Sequence, residues 1–384
     1  MKGFKNVIAY VENEGLVKCD VAVENGKISA IGKNLGITEP FPCRETDVVL
    51  PGFIDQHVHG ANGADAMDGT AESLSKIADA LAREGTTAFL ATTMTQSAEN
   101  IKAALRAVKD YVAAEPRNGA RIAGIHLEGP FISEKHIGAQ PLTYLSDPVP
   151  ETFDEYFKES GGLIKIATVA PEEPGADGLI REMVSKGVHP SAGHTDAGYN
   201  DVVAAMNAGL DCVTHTYNAQ RGLHHREIGV VGAALLLDGL YAEAICDLVH
   251  LSVPAVKLLV KNKPKDKLIL VTDSMRAKYL HDGESELGGQ KVIVKNGEAR
   301  LINGALAGSI LKMNDAVKNL VLKCDVPFLQ AVDYCTANPA RHLGIFGETG
   351  SIKTGKAADF CVLSDEFGVR LTVRGGNVVY EGEE

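Results

Sequence analysis

Apolar and polar residues follow a regular rhythm through most of the chain. Between about residues 53 and 345, short apolar runs alternate with longer amphipathic stretches such as SLSKIADALAREG, a pattern typical of strands alternating with helices. The runs predicted to be strands are residues 53–60, 86–93, 121–129, 163–170, 188–193, 212–218, 241–247 and 267–274. Eight such strand–helix units predict a (β/α)8 TIM-like barrel. An open, doubly wound sheet is the alternative, because periodicity alone does not reveal closure.

The two ends of the chain have a different pattern of short β segments. An apolar–polar alternation surrounds Asn25-Gly26, which indicates a hairpin, and residues 48–55 indicate a buried strand. The C-terminal segment has a similar pattern, with a turn at Gly375-Gly376-Asn377. We therefore predict a small β-sandwich domain formed from residues 1–52 and 346–384, beside a barrel domain at residues 53–345.

Composition and charge narrow the class of protein. The net charge of −12 at pH 7 disfavours nucleic acid and anionic membranes as partners, although a small anionic substrate stays compatible with a local basic pocket. The seven cysteines are scattered without a CxxC pair, which predicts reduced thiols in a cytoplasmic protein. We find no signal-peptide pattern and no apolar run of roughly 18 residues, so no membrane association is predicted.

Histidines and carboxylates fall at the carboxyl ends of the predicted strands, which meet on one face of a barrel. His57 and His59 are two residues apart at the end of the first strand, so both imidazoles point to the same side. Two imidazoles placed in this way can bind one divalent ion. A surface pair without a role is the alternative, but the position directly after PGFID favours metal ligands.

Three further side chains are candidate ligands at the same face. Glu128 precedes Gly129-Pro130, which ends the strand and frees the carboxylate to bridge two ions. For His194 or His215 alone, a hydrogen-bonded buried histidine is the ordinary alternative. Their positions at the ends of successive strands favour the ligand role. For His126 we predict a hydrogen-bonded core residue rather than a ligand.

Asp273 ends the apolar strand KLILVTD, where an ionised carboxylate requires a partner. Beside a metal and its water, Asp273 can accept a proton and later deliver it to a leaving amine. The alternative is that it caps the next helix, a task that Ser274 can also perform.

Two loops indicate recognition of an anionic substrate. His224-His225-Arg226 is a basic cluster in an acidic protein, and an arginine can bind phosphate through two parallel hydrogen bonds. Leu306-Ala307-Gly308-Ser309 precedes a predicted helix, whose free N–H groups can bind polar substrate atoms. The alternatives are a solvated loop for the first segment and a plain helix cap at Ser309 for the second.

Six motifs, in order between about residues 48 and 345, resemble those of the N-acetylglucosamine-6-phosphate deacetylases of the amidohydrolase superfamily. They are PGFIDQHVHG, GIHLEGPF, the GHT at 193–195, THTYNA with the HHRE that follows, LVTDSM and LAGS. The resemblance implies hydrolysis of N-acetyl-D-glucosamine 6-phosphate to D-glucosamine 6-phosphate and acetate, a reaction of amino-sugar catabolism.

The resemblance also implies roles for individual residues. Asp273 would be the general acid and base, and one or two divalent ions, Zn, Fe, Mn or Co, would be bound by His57, His59, Glu128, His194 and His215. The residues implied to contact the substrate are Ala139, Gln140, Asn218, Ala219, Arg226, His250, Leu306, Ala307 and Gly308. In this family the arginine at position 226 can reach in from a neighbouring subunit, so a homodimer is implied.

Two positions depart from the family pattern. Gln140 stands where the family often has a histidine, and a glutamine can form hydrogen bonds but cannot carry charge. Leu248 stands where the family often has a glycine, which affects the backbone contacts next to His250.

Three alternative functions are compatible with the same barrel. A cyclic-amide hydrolase would use a carbamylated lysine as the metal bridge, and Glu128 at the corresponding position disfavours it. An N-acetylgalactosamine-6-phosphate deacetylase differs by a single epimeric hydroxyl of the substrate. A non-catalytic sugar-phosphate sensor on the same barrel would not need Asp273.

Overall fold

The N-terminal segment forms strands of a sheet that lies outside the barrel. The computed structural model describes residues 1–382. The first strands are β1 (Lys2–Val11), β2 (Gly15–Glu24), β3 (Lys27–Gly32), β4 (Glu39–Pro40) and β5 (Val48–Pro51). β1 and β2 pair in antiparallel fashion, and β5 runs parallel to β1 before the chain enters the barrel.

The barrel strands follow directly. In chain order the barrel strands are β6 (Phe53–Val58), β9 (Thr86–Thr92), β10 (Arg121–Glu128), β11 (Ile164–Val169), β12 (His189–Ala192), β13 (Cys212–Val213), β14 (Tyr241–Ile245) and β15 (Leu268–Val271). A short hairpin of β7 (Gly60–Ala61) and β8 (Ala64–Asp65) lies between β6 and β9 in the sequence. Apart from the hairpin, these eight strands form one sheet in the order β15-β14-β13-β12-β11-β10-β9-β6, and every neighbouring pair is parallel. Each of the eight predicted runs therefore contains a barrel strand, although the run 212–218 contributes only Cys212–Val213.

The barrel closes between its first and last strands at their carboxyl ends. The backbone N–H of Asp273 donates to the carbonyl of His57 at 2.9 Å, and His59 N donates to Ser274 O at 2.9 Å. Nearer the amino ends, Ile54 N and Leu270 N bond instead to carbonyls of residues 335 and 334, so this segment fills the gap between β6 and β15. The structure is thus a nearly closed barrel, and the open doubly wound sheet is excluded.

One helix follows each barrel strand, and each of these helices packs against the next. They are α1 (Ala71–Ala82), α2 (Ala98–Ala113), α3 (Pro150–Glu159), α4 (Ala176–Ser185), α5 (Tyr199–Ala208), α6 (Gly229–Leu236), α7 (Val253–Asn262) and α8 (Met313–Cys324), and two short helices complete the set as α9 (Phe328–Asp333) and α10 (Ala337–His342). Thr70 and Ser97 accept hydrogen bonds from the first turns of α1 and α2, which begins both helices. In residues 1–382, no helix is long and apolar enough to span a bilayer.

A small sheet absent from the sequence-based prediction lies between β15 and α8. Its strands are β16 (Gly283–Leu287), β17 (Gln290–Lys295) and β18 (Glu298–Leu301), joined by turns at Gly288-Gly289 and Asn296-Gly297. These strands have many exposed positions, so their sequence lacks the continuous apolar runs that marked the barrel strands. The inserted sheet covers part of the carboxyl face of the barrel and contributes side chains to the cavity at that face.

The C-terminal segment returns to the first sheet with β19 (Phe360–Leu363), β20 (Val369–Arg374) and β21 (Asn377–Glu381). The resulting order is β21-β20-β19-β5-β1-β2-β3, with β4 also paired to β1, so the two chain ends share one sheet as predicted. Both predicted hairpin turns are present. Asn25 and Gly26 have φ of 51° and 75°, and Gly375 and Gly376 have 54° and 75°, the left-handed values that two-residue hairpins require.

The core of the terminal sheet generates a prediction about stability. Phe4 is fully buried, and its ring centroid lies 4.9 Å from that of Phe41 and 5.2 Å from that of Phe360. Phe4→Ala removes this aromatic packing and leaves a cavity, so we expect the free energy of unfolding to fall by about 3–5 kcal/mol. Urea denaturation followed by circular dichroism measures the change.

The matched control is Ile302→Ala, whose side chain belongs to a residue that is 78% exposed. It should change the free energy of unfolding by less than about 0.5 kcal/mol. Equal effects of the two substitutions would contradict the assignment of Phe4 to the core.

Candidate active site

Six predicted functional side chains converge at the carboxyl face of the barrel. His57 is the second-to-last residue of β6, His59 follows that strand directly, and Glu128 is the last residue of β10. The remaining three follow strands by two residues: His194 after β12, His215 after β13 and Asp273 after β15. All six residues are buried, with Asp273 the most exposed at 7%. Their convergence follows from the parallel strands, whose carboxyl ends share one face.

Glu128 is the centre of the cluster. Its Oε1 lies 3.0 Å from Nε2 of His215 and 3.3 Å from Nε2 of His194. Its Oε2 lies 3.2 Å from Nε2 of His59, and Nε2 of His57 is 3.4 Å from Oε1. The carboxylate therefore stands between two pairs of imidazoles, which is the position of a bridging ligand.

Asp273 closes one side of the cluster. Its Oδ1 lies 3.5 Å from Nε2 of His57 and 3.2 Å from Nε2 of His59. Two overlapping groups with metal-ligand spacing result, namely His57, His59 and Glu128, and Glu128, His194 and His215, each with ligand atoms within 4.8 Å of one another. Either group could hold a cation, and Glu128 belongs to both groups.

The electrostatics of the cluster fit a cation. Burial lowers the pKa of His59, but hydrogen bonds to Asp273 and Glu128 raise it overall to about 9. Burial raises the pKa of Glu128, yet the charge of His57 and hydrogen bonds from the neighbouring histidines hold it well below its usual range. The two carboxylates therefore attract positive charge strongly, and a divalent ion supplies such charge in place of protons.

The surroundings of three imidazole nitrogen atoms also indicate a cation site. Nε2 of His194 and Nε2 of His215 lie 3.1 Å apart, a distance at which two lone pairs repel unless a proton or a cation lies near both. Nε2 of His57 is buried and has no hydrogen-bond partner within residues 1–382. Imidazole and carboxylate donors of this kind suit Zn, Fe, Mn or Co.

Backbone strain accompanies the site. His194, His215 and Asp273 have φ of 49°, 29° and 48°, a region that residues with a Cβ rarely adopt. Such a conformation costs about 1–3 kcal/mol per residue and persists only where the surroundings impose it. At Asp273 they do so, because its N–H donates to His57 O at 2.9 Å and its carbonyl accepts from Ser309 N at 2.8 Å.

A cavity of about 360 Å³ opens onto the cluster. The predicted substrate-contact residues among its lining are Ala139, Gln140, Asn218, Ala219, His250, Leu306 and Gly308. Two other predicted substrate-contact residues do not line this cavity. Ala307 is fully buried in the core beneath the inserted sheet, and Arg226 lies on an exposed loop where its guanidinium contacts His225 at 2.7 Å.

The two departures from the family pattern have structural consequences. The Gln140 amide donates to Glu128 Oε2 at 2.7 Å and accepts from Thr95 N at 2.8 Å, so it holds the central carboxylate in addition to lining the cavity. Leu248 has φ of 67°, a value that glycine adopts at less cost. Asp247 stabilises this turn by accepting hydrogen bonds from His250 N at 2.8 Å and His250 Nδ1 at 2.7 Å.

The structure also reveals neighbours that sequence reasoning missed. Glu243, in the middle of β14, lies 3.1 Å from Nδ1 of His57 through its Oε2, and Gln56 donates to its Oε1 at 2.7 Å. A lone carboxylate inside the apolar run YAEAI was the signal available in the sequence. The inserted sheet and its flanking loop add cavity-lining residues with no earlier signal, among them Leu287, Arg300, Gly304 and Ala305.

His126 behaves as a core histidine, as predicted. Its Nε2 lies 2.8 Å from Oγ1 of Thr168, and its Nδ1 lies 3.3 Å from the carbonyl oxygen of Gln56. Burial and the nearby charge of His57 lower the pKa of His126 to about 3. A neutral imidazole with both nitrogens engaged has no lone pair to offer a metal.

A buried group of imidazoles and carboxylates at the carboxyl end of a parallel barrel defines, as a class, a metal-dependent hydrolase. Comparison with known proteins agrees with this class. The model of the Amidohydrolase family matches residues 48–379, and the chain belongs to that family.

Individual relatives narrow the group. The chain is 42% identical over 386 residues to the N-acetylglucosamine-6-phosphate deacetylase of Bacillus subtilis, covering 99% of this chain and 97% of that protein. Within the amidohydrolases it therefore belongs with the N-acetylglucosamine-6-phosphate deacetylases, which confirms the resemblance seen in the motifs.

Solved structures agree over the whole fold. The N-acetylglucosamine-6-phosphate deacetylase of Thermotoga maritima superposes with a TM-score of 0.89 at 36% identity, covering 99% of this chain and 100% of that one. A variant of the Mycobacterium smegmatis deacetylase in complex with N-acetyl-D-glucosamine-6-phosphate superposes with a TM-score of 0.91 at 28% identity, covering 98% of both chains. The barrel and the terminal sheet therefore both match deacetylase structures.

The geometry of the cluster predicts that metal binding stabilises the fold. After chelation and dialysis, adding Zn²⁺ or Co²⁺ to about 100 times its dissociation constant should raise the free energy of unfolding by about 2.7 kcal/mol per site. Thermal unfolding with and without metal measures this gain. Glu128→Gln should remove most of it, because Glu128 lies within 3.4 Å of all four candidate ligand histidines.

The control for this measurement is Glu72→Gln, a substitution of a side chain that is 78% exposed on α1. It should keep the full gain on metal addition. An equal gain in the wild type and in Glu128→Gln would show that the stabilising ion binds elsewhere.

Proposed function

We propose that this protein hydrolyses the acetamide of N-acetyl-D-glucosamine 6-phosphate, giving D-glucosamine 6-phosphate and acetate in amino-sugar catabolism. The observation that carries the proposal is the position of Asp273. Its Oδ1 lies within 3.5 Å of His57 and His59 and faces the same cavity as Glu128. The Mycobacterium smegmatis relative in complex with N-acetyl-D-glucosamine-6-phosphate supports the choice of substrate.

We assign the metal ligands as His57, His59, Glu128, His194 and His215, which would hold one or two divalent ions. A bound ion would supply a Lewis acid for the amide carbonyl and would lower the pKa of a nearby water. Gln140 and the backbone bonds of Asp273 keep both carboxylates in place, so little reorganisation is needed during the reaction.

Asp273 carries the proton through the reaction. Its carboxylate accepts the proton of the attacking water while the water oxygen bonds to the acetamide carbon. The same carboxyl then donates that proton to the amide nitrogen as the C–N bond breaks, which turns a poor leaving group into a neutral amine. Burial raises the pKa of Asp273, but the charge of His57 and a hydrogen bond from His59 lower it overall, so the group starts as a base.

The far end of the cavity receives the sugar phosphate. We assign contacts with the sugar and its phosphate to Asn218, Ala219 and His250, and further contacts with the substrate to Ala139, Gln140, Leu306 and Gly308, which line the cavity. Binding energy from the contacts with the sugar phosphate orients the acetamide at the cluster, although these contacts lie away from the reacting atoms.

We further propose that the protein is a cytoplasmic homodimer in which Arg226 binds the phosphate of the partner subunit's substrate. The exposed position of Arg226 on its loop supports this arrangement, since a guanidinium with bidentate geometry suits a phosphate. Seven free cysteines in the described chain agree with a reducing compartment.

Acetate release tests the proposed activity. Metal-loaded protein receives N-acetylglucosamine 6-phosphate, its galacto epimer and unphosphorylated N-acetylglucosamine in parallel. We expect turnover of the gluco phosphate, with kcat/KM at least about 100-fold lower for the sugar without phosphate, because charged hydrogen bonds to the phosphate are lost. Faster release from the galacto epimer would instead identify an N-acetylgalactosamine-6-phosphate deacetylase.

Asp273→Asn separates chemistry from binding. The amide cannot accept the proton of water, so kcat should fall by about 10²- to 10⁴-fold while the metal content stays that of the wild type. No acetate from any of the three sugars, with metal fully bound, would overturn the deacetylase assignment and leave a metal-binding barrel of another function.

Subunit mixing tests the role of Arg226. Arg226→Gln should raise KM by about 10- to 100-fold, with little change in kcat, because a charged hydrogen bond to the substrate is lost. Co-expression with Asp273→Asn creates mixed dimers in which one site has an intact Asp273 and an intact Arg226 from the other subunit. Such mixtures should regain the low KM. Activity equal to the sum of the two separate variants would show that Arg226 does not act across a dimer.

A further inference from the structure

The cluster histidines differ in how their second ring nitrogen is held. Nδ1 of His57 lies 3.1 Å from the carboxylate of Glu243, and Nδ1 of His194 lies 3.0 Å from the carbonyl oxygen of His136. Nδ1 of His59 and Nδ1 of His215 are buried and have no hydrogen-bond partner in the described part of the chain. His57 is therefore distinguished by a carboxylate behind its ring, that of Glu243, which is not among the predicted ligands.

Glu243 is fully buried inside the barrel and uses both oxygens. Oε1 accepts from the Gln56 amide at 2.7 Å, and Oε2 accepts from His57 Nδ1 at 3.1 Å and from the backbone N–H of His215 at 3.2 Å. An ionised carboxylate only accepts hydrogen bonds, so each of these three partners must be the donor. Nδ1 of His57 consequently carries a proton.

A chain of contacts continues from Gln56 toward the amino ends of the strands. The Oε1 of Gln56 lies 3.0 Å from Nδ1 of His342, whose Nε2 lies 3.4 Å from Asp211 Oδ1. Oδ2 of Asp211 in turn lies 2.6 Å from Nδ1 of His189. Because the amide of Gln56 donates to Glu243 and faces a ring nitrogen on its other side, a single orientation of this amide satisfies both neighbours.

We propose that Glu243 and Gln56 are positioning residues of the metal centre, which act by fixing the tautomer and orientation of His57. A proton held on Nδ1 leaves the lone pair of Nε2 free, and that nitrogen faces Glu128 at 3.4 Å and Asp273 at 3.5 Å. Hydrogen bonds behind a ligand histidine raise its basicity and lock its ring. The inference rests on the proposed function, since it assigns His57 to a metal.

The two side chains permit a test in which the hydrogen-bond pattern is first broken and then restored. In Glu243→Gln, one acceptor oxygen becomes an NH₂ group, which must face either the Gln56 amide donor or the His57 donor. In the double variant Gln56→Glu with Glu243→Gln, the amide at 243 donates to the carboxylate at 56 and still accepts from His57. The second oxygen of the carboxylate at 56 takes the place of the Gln56 amide oxygen next to Nδ1 of His342, so that contact keeps its oxygen.

Metal binding is the primary readout. The wild type and the variants, freed of metal, are titrated with Co²⁺ and followed by the absorption of the bound ion, and metal content is determined on the filtered protein. We expect Glu243→Gln to bind Co²⁺ about 10- to 100-fold more weakly at one site. The double variant should return to within about threefold of the wild type, and kcat should follow the occupancy of that site.

Glu84→Gln is the matched control for loss of stability. Glu84 is a fully buried barrel carboxylate that pairs with Lys278 and contacts none of the candidate ligands. This variant should unfold at a lower temperature than the wild type but bind Co²⁺ with the wild-type affinity.

Three outcomes would overturn the inference. The first is Co²⁺ affinity in Glu243→Gln equal to the wild type, and the second is a double variant as weak as the single one. The third is equal weakening by Glu84→Gln, which would trace the effect to stability alone. Failure of the wild type to bind Co²⁺ or release acetate would instead refute the proposed function, so the two failures are distinguishable.

Discussion

The seam between β6 and β15 is the constraint on which the site depends. Hydrogen bonds from Asp273 N to His57 O and from His59 N to Ser274 O join the first and last barrel strands at their carboxyl ends. The same bonds hold two candidate ligands against the candidate acid and base, across more than half of the sequence. Closure and assembly of the site are therefore one event, and any change that opens this seam separates His57 and His59 from Asp273. Below the seam, residues 334 and 335 take the place of direct strand pairing, so the closure is tightest where the chemistry lies.

Glu128 imposes the second constraint. A fully surrounded carboxylate is costly to bury unless positive charge compensates it. Four imidazoles and a second carboxylate lie around it, and as neutral ligands the imidazoles contribute no charge. The compensating positive charge can come from protons on the imidazoles or from bound metal cations. Bound cations are the alternative that makes the site reactive. Gln140 is consistent with a cation beside Glu128, because its neutral amide donates a hydrogen bond to Glu128 and adds no positive charge of its own. A histidine at position 140 could instead carry a charge of its own next to the metal ligands.

Much of this architecture could be predicted from the sequence, for physical reasons that also explain the failures. Barrel strands are buried on both faces, so their apolar runs stand out, and the first polar residue after each run marks the carboxyl face. The inserted sheet has exposed positions on β16 and β17, which removes that contrast. The predicted strand at residues 212–218 is in fact only Cys212–Val213, because His215, Tyr217 and Ala219 have positive φ and turn the chain away. Glu243 went unrecognised because its partner Gln56 is 187 residues away, and no local pattern reports such a pair.

The interior of the barrel is polar to an extent that hydrophobic burial cannot explain. His126 contacts Thr168, Thr168 contacts Thr214 at 2.9 Å, and Thr214 contacts Ser191 at 2.6 Å, all beside the column formed by Gln56 and Glu243. The large apolar clusters lie instead where strands pack against helices and against the last segments of the chain. A polar network of this kind contributes less stability than well-packed apolar side chains, but each satisfied hydrogen bond restricts the orientation of its neighbours. Most buried apolar side chains therefore lie in the outer layer, with a smaller cluster around Ile54, Leu90 and Ile166, and the polar inner layer orients the side chains that face the cavity.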